Sequence, residues 1–178
     1  MNLPKPARIA LWSALGITAG LLALWWVADH RRGLAWAMAV VKDRFPDVPQ
    51  LSTAALAEAV ADSKRPPPLL LDARSAEEFG VSHLTNAQRL DPATSDAEII
   101  QQISKDRRIV VYCAAGYRGS QMARRLRALG YEDVANLSGG IFQWANEGRE
   151  IHRGDQLVRE VHSFHAAFRR LLRREARH

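Results

Sequence analysis

Two short runs, residues 69–71 (LLL) and 109–112 (IVVY), are apolar at every position, with Asp72 just after the first and Arg107 and Arg108 just before the second. A strand of this kind has both faces buried, which is how strands behave in a parallel sheet covered by helices. Residues 134–137 (VANL) read as a further strand and 48–51 as a short first one. Between them lie helical stretches. Ser52 or Thr53 is placed to cap AALAEAVAD, and Pro66, Pro67 and Pro68 end that section. Residues 76–79 read as a helical turn, and 97–103, 120–129 and 141–147 as helices, with Gly130 closing the third of these four. Strands alternating with helices predict an α/β domain over residues 48–150, its parallel sheet flanked by helices.

The rest of the 178-residue chain has a different character. Residues 9–28 (IALWSALGITAGLLALWWVA) carry no charge. As a helix this run would be roughly 30 Å long, the thickness of a bilayer's hydrocarbon core. Trp12 stands near one end, and Trp25 and Trp26 near the other, where indoles favour the membrane interface. The expectation is one N-terminal transmembrane helix in a single-pass membrane protein. Lys5 and Arg8 precede it, while Arg31, Arg32, Lys42 and Arg44 follow, which favours a cytoplasmic C-terminal portion. Gly16 and Gly20 have the spacing at which two such helices approach closely, a route to a homodimer. Residues 29–47 read as a juxtamembrane connector, with an amphipathic helix up to Phe45 broken by Pro46 and Pro49.

Cys113 is the single cysteine, so no disulfide framework and no Cys-only zinc site can form within one chain. It stands at the C-terminal end of the 109–112 strand, just before a helix. Ligands bind at that edge of open parallel sheets. The segment Ala114, Ala115, Gly116, Tyr117, Arg118 and Gly119 is small and glycine-containing, apart from Tyr117 and Arg118. Such a loop can turn several N–H groups inward, and with the positive end of the following helix it attracts an anion and favours a thiolate. Arg118 adds a forked cation suited to an oxyanion.

These features, with three other segments, resemble the rhodanese family of single-domain sulfurtransferases. LLLDARSAEEF (69–79) is similar to the family's strand followed by Asp-x-Arg and Glu-Phe. SHLTNAQRL (82–90) resembles its Gly-His-Ile-x-Gly-Ala segment, with Ser82 and Asn86 where glycines are usual. IVVYCAAGYRGSQMARRLRALGY (109–131) resembles the active-site strand, loop and helix, and VANLSGGIFQWANEG (134–148) the closing Gly-Gly and Trp stretch. The resemblance implies a rhodanese-like parallel sheet and sulfane sulfur transfer without a cofactor. Cys113 would carry a persulfide, residues Ala114 to Gly119 would hold an anionic donor of the thiosulfate or polysulfide class, and a thiol or cyanide would accept the sulfur. Lacking a second cysteine, the chain would need a separate acceptor in a ping-pong scheme. Asp72, Arg74, Glu78 and His83 are expected to support the loop structurally, because buried charges need partners.

Two other readings remain. A membrane-tethered binding module with a rhodanese fold and no turnover is one. Apart from it, Ala114 and Ala115 bring neither hydroxyl nor charge and Gly119 stands where the family often has Ser or Thr, so donor recognition would rest on backbone amides and Arg118. Cysteine phosphatases and arsenate reductases are the other; the phosphatase loop has five residues between Cys and Arg, and this chain has four. The tail, 151–178, carries apolar residues at helical spacing and a crowd of arginines, which predicts a basic amphipathic C-terminal helix. No aromatic stacking pattern points to nucleic acid. His162 and His165 lack further ligands nearby, so no metal site is read.

Overall fold

The computed structural model describes residues 16–18 and 30–178. The expected span, residues 9–28, and Gly20 of the glycine pair thus lie outside the described residues except for 16–18, which are helical. Among the described residues no helix is long and apolar enough to cross a membrane.

The elements run α1 (His30–Arg44), β1 (Gln50–Leu51), α2 (Thr53–Ala61), β2 (Leu69–Asp72), α3 (Ala76–Val81), β3 (Gln88–Arg89), α4 (Asp96–Gln102), β4 (Ile109–Tyr112), α5 (Tyr117–Ala128), β5 (Val134–Leu137) and α6 (Gly140–Asn146). A hairpin of β6 (Ile151–Arg153) and β7 (Gln156–Val158) follows, then 3-10 turns at Ala166–Leu171 and Arg174–Ala176. The first five strands form one parallel sheet in the order β1-β5-β4-β2-β3. Strand β4 lies at its centre, with Ile109 opposite both Leu69 and Val134.

The pleat explains why the central strand is apolar throughout. Ile109 and Val111 join one core with Ile99, Met122 and Leu126, while Val110 and Tyr112 join another with Leu56, Leu84 and Phe142. Side chains alternate between faces, so burial on both sides demands an apolar residue at each position. Helices α2, α3 and α4 open on Ser52, Ser75 and Ser95, each accepting an N–H from the first turn, and in the last two a Glu completes a capping box.

Three expectations need correction. The connector is built into the domain: α1 sends Leu34 into one core and Val41 into the other, with Phe45 just beyond its end joining the latter. The tail is not an amphipathic α-helix. Gly154, at φ +56°, turns β6 back on β7, and Val161 bridges Arg177 across the tail. The same apolar residues that mimic helical spacing are spent on these non-local pairings, with Val161 and Leu172 fully buried. Finally, α5 begins three residues earlier than expected, at Tyr117. Gly116 takes φ +107° as its N-cap, a left-handed position open to glycine, and this starts the helix without a capping side chain.

Candidate active site

Parallel strands deliver Asp72, Tyr112 and Leu137 to one edge of the sheet, and the loops after them build the site. Cys113 follows β4 directly and is 2% exposed. The Gly116 N–H donates to its Sγ at 3.2 Å, closing the loop around the sulfur. The first intrahelical bond of α5 runs from Ser120 N–H to Gly116 O, so the N–H groups of Tyr117, Arg118 and Gly119 precede it. Residues Ala114 to Gly116 form the loop, and Tyr117 to Gly119 form the helix's first turn.

The loop is fixed from behind by α6. Ile141 N–H donates to Cys113 O at 2.9 Å and Phe142 N–H to Ala114 O at 3.0 Å. A trans peptide points its N–H opposite its carbonyl, so the amides of Ala114 and Ala115 face away from α6. Underneath, Asn136 of β5 donates to Gln50 Oε1 at 2.7 Å, and Gln50 Nε2 donates to Ser120 Oγ at 3.2 Å. This chain of side chains ties the start of α5 to β5 and β1. It also accounts for Gly119: a Cβ there would overlap Asn136 Oδ1 and stand 3.2 Å from the Tyr112 backbone. Any side chain at 119 would collide with the sheet, so a Ser or Thr has no room. Asn136 and Gln50 have no signature in the linear chain, and the sequence reading missed them.

Arg118 points its guanidinium at Glu78. Both terminal nitrogens donate to the two carboxylate oxygens at 2.7 Å, an end-on fork. Glu78 is only 2% exposed and also closes the capping box with Ser75. Burial alone would raise the Glu78 carboxyl's pKa, but the Arg118 and Ser75 hydrogen bonds outweigh it and hold the group below its ordinary value. Burial would lower the Arg118 pKa, and the Glu78 carboxylate and then the Cys113 sulfur outweigh that, pushing it up. Two of the five guanidinium N–H groups are used by Glu78, and the side-on edge is left toward other ligands. Arg118 borders a groove of about 360 Å³ with Pro92, Gln121, Met122 and Arg125.

Asp72 and Arg74 form a separate, fully buried pair: Arg74 Nε and Nη2 reach the carboxylate at 2.9 and 2.6 Å. Arg74 Nη2 also donates to Ser82 O at 2.5 Å, which draws the segment after α3 onto β2. Burial pushes the Tyr112 hydroxyl pKa well up, and that oxygen accepts from Leu84 N–H at 3.2 Å. His83 is placed elsewhere. Its backbone bridges His152 of the hairpin and its ring stacks on Phe79 at 4.3 Å. Asn86, standing where the resemblance leads one to expect glycine, takes φ +59°, a conformation asparagine tolerates.

The five-stranded parallel sheet, with one cysteine seated in an amide loop at its C-terminal edge, defines an α/β domain class. The family model of the rhodanese-like domain matches residues 53–147, more than half of the chain, and the protein belongs to that family. A sulfurtransferase of Allochromatium vinosum is 34% identical over 104 residues, covering 58% of this chain and 94% of that protein. A tRNA uridine(34) hydroxylase of Cronobacter sakazakii is 31% identical over 109 residues, and the match spans 58% of this chain but only 31% of the hydroxylase. The crystal structure of a rhodanese-like domain protein from Staphylococcus aureus shares 26% identity at a TM-score of 0.50, covering 57% of this chain and 95% of that one.

Proposed function

We propose that the protein is a sulfurtransferase working through a persulfide on Cys113. The Gly116 amide held on Sγ carries this reading, with Arg118 locked beside the loop by Glu78. The Cys113 thiolate attacks the outer sulfur of an anionic donor such as thiosulfate. The donor's S–S bond breaks, and sulfite leaves with the electron pair. Donor oxygens are received by the loop amides and the open edge of Arg118. A thiol or cyanide then attacks the outer sulfur of the persulfide and returns the Cys113 thiolate. No second cysteine resolves the persulfide, so the two half-reactions are separated in time. The resemblance of the whole domain to a 34% identical sulfurtransferase supports the assignment.

The burial of Cys113 is the observation that favours a second reading, a binding module without turnover. One experiment separates them. The full chain is incubated with thiosulfate or inorganic polysulfide and its intact mass recorded. One added sulfur, released by cyanide as thiocyanate and absent in Cys113→Ser, supports transfer. No adduct with either donor overturns it.

The uncharged run at residues 9–28, with Arg31 and Arg32 three and four residues beyond it, supports a membrane tether with the domain on the cytoplasmic side. A C-terminal compartment-sensitive reporter tests this; activity of the reporter only when exported rejects the cytoplasmic placement.

A further inference from the structure

Arg118 is held from a third direction. The Phe164 ring lies over its guanidinium, 4.4 Å from Cζ to the ring centroid. Phe164 belongs to the tail, outside residues 53–147 that match the family. The tail presents it as a strap closed at its base: Val161 N–H donates to Ala176 O at 2.9 Å and His178 N–H to Val161 O at 3.2 Å. Asn146 of α6 anchors the strap by bonding Leu171 O at 2.7 Å and Arg173 N–H at 2.8 Å. Along its length His162 faces Glu77 at 3.8 Å, the neighbour of Glu78 on α3. Helix α3 thereby lies next to the strap at Glu77 and holds the arginine at Glu78.

The backbone at Phe164 is unusual. Its φ is +63°, a left-handed conformation that a bulky aromatic residue adopts at a cost. Its N–H donates to His162 Nδ1 at 3.0 Å, and Phe168 packs on the ring at 5.8 Å. The ring remains 51% exposed, so little apolar burial recommends the position. What the strained backbone gains is the stack on Arg118.

We infer that Phe164 is a positioning residue for donor binding, acting through Arg118, a claim that rests on the sulfurtransferase reading. Glu78 fixes the end of the guanidinium fork and Phe164 fixes its plane, leaving the side-on edge set for a donor anion. A ring on the face also excludes water from one side of the cation and strengthens its pull on an anion. The test compares full-length Phe164→Ala, Phe164→Leu and Phe164→Trp with wild type, using whichever of thiosulfate and polysulfide loads the wild type, with cyanide as acceptor. KM for the donor is expected to rise about three- to tenfold in Ala and Leu, with kcat and the thermal midpoint near wild type, and to recover in Trp. Leu matching wild type while Ala does not would mean that bulk alone matters and overturns the inference. So would unchanged KM in all three, or a KM that falls because the strap obstructs the loop. Should Ala fail to fold, the Leu and Trp pair decides. A wild type that takes up no sulfur defeats the sulfurtransferase reading itself, a result distinct from any of these.

Discussion

The N–H of Ile141 donates to the carbonyl of Cys113, and the glycine before it makes that bond geometrically available. Gly140 holds φ +55°, and a Cβ there would overlap Cys113 O and stand 2.7 Å from Ala114 O. These are backbone atoms, which cannot swing aside. Gly140→Ala is expected to destabilise the fold by about 3 kcal/mol, adding the left-handed penalty to the overlap. Gly148, at φ +75° and with open space within 4 Å of where a Cβ would stand, is the control. Gly148→Ala is expected to cost only about 1 kcal/mol. Denaturant midpoints of the two variants check the difference, and equal losses would show that the Cys113 loop does not lean on α6.

The Glu78–Arg118 fork has a pH signature. The folded Glu78 carboxyl titrates below its ordinary value of 4.5. A depressed carboxyl contributes stability that is fully present above the unfolded value and lost as pH falls through the folded one. Glu78→Gln removes the charge and weakens the fork, at an expected cost of about 1–3 kcal/mol near neutral pH. The stability gap between wild type and Glu78→Gln is expected to hold steady from about pH 7 to 5 and to shrink in more acid solution. Thermal midpoints across that range measure it, and a gap that widens on acidification would contradict the sign.

Arg118→Lys tests the fork rather than the charge. Lysine keeps one positive centre but cannot bind Glu78 end-on and a donor side-on at once. Losing one charge-assisted hydrogen bond to the donor, about 1.5 kcal/mol, corresponds to a roughly tenfold rise in donor KM. Steady-state kinetics with varied donor at fixed cyanide give the value. An unchanged KM would mean that Arg118 acts only as a point charge.

How far the fold could be read from the chain depended on how local its causes are. Strands β2 and β4 were legible because burial on both faces leaves apolar residues in a row, as at Ile109 to Tyr112, while β5 showed through Val134 and Leu137 on either side of the buried polar Asn136. Strand β3 was not, since Gln88 and Arg89 are exposed at the sheet's edge and carry no apolar signal. The start of α5 was hidden because its cap is the φ of Gly116, which no side chain announces. The tail misled because Val161 and Leu172 sit at helical spacing yet are both buried in the domain's core, Val161 while bridging Arg177. In the site, the Cys113 to Arg118 spacing is contiguous and visible. The partners of Arg118 lie far along the chain, Glu78 on α3 and Phe164 in the strap, and only folding brings them together.

Asp72 and Arg74 offer the severest test of what holds the edge of the sheet. Both side chains are fully buried, and Asp72 Oδ1 also accepts the Arg74 backbone N–H at 3.0 Å. Removing one member leaves an uncompensated charge in the interior, which costs about 3–5 kcal/mol. Arg74→Met does this to Asp72, and Asp72→Asn does it to Arg74, whose Nη2 would still reach Ser82 O. The double variant leaves no charge of this pair in the interior, so its loss should fall short of the summed single losses by at least about 1 kcal/mol. Chemical denaturation of the four proteins gives the coupling. Additive losses would mean that water reaches the pair, and then the segment joining α3 to β3 would not depend on it for its place.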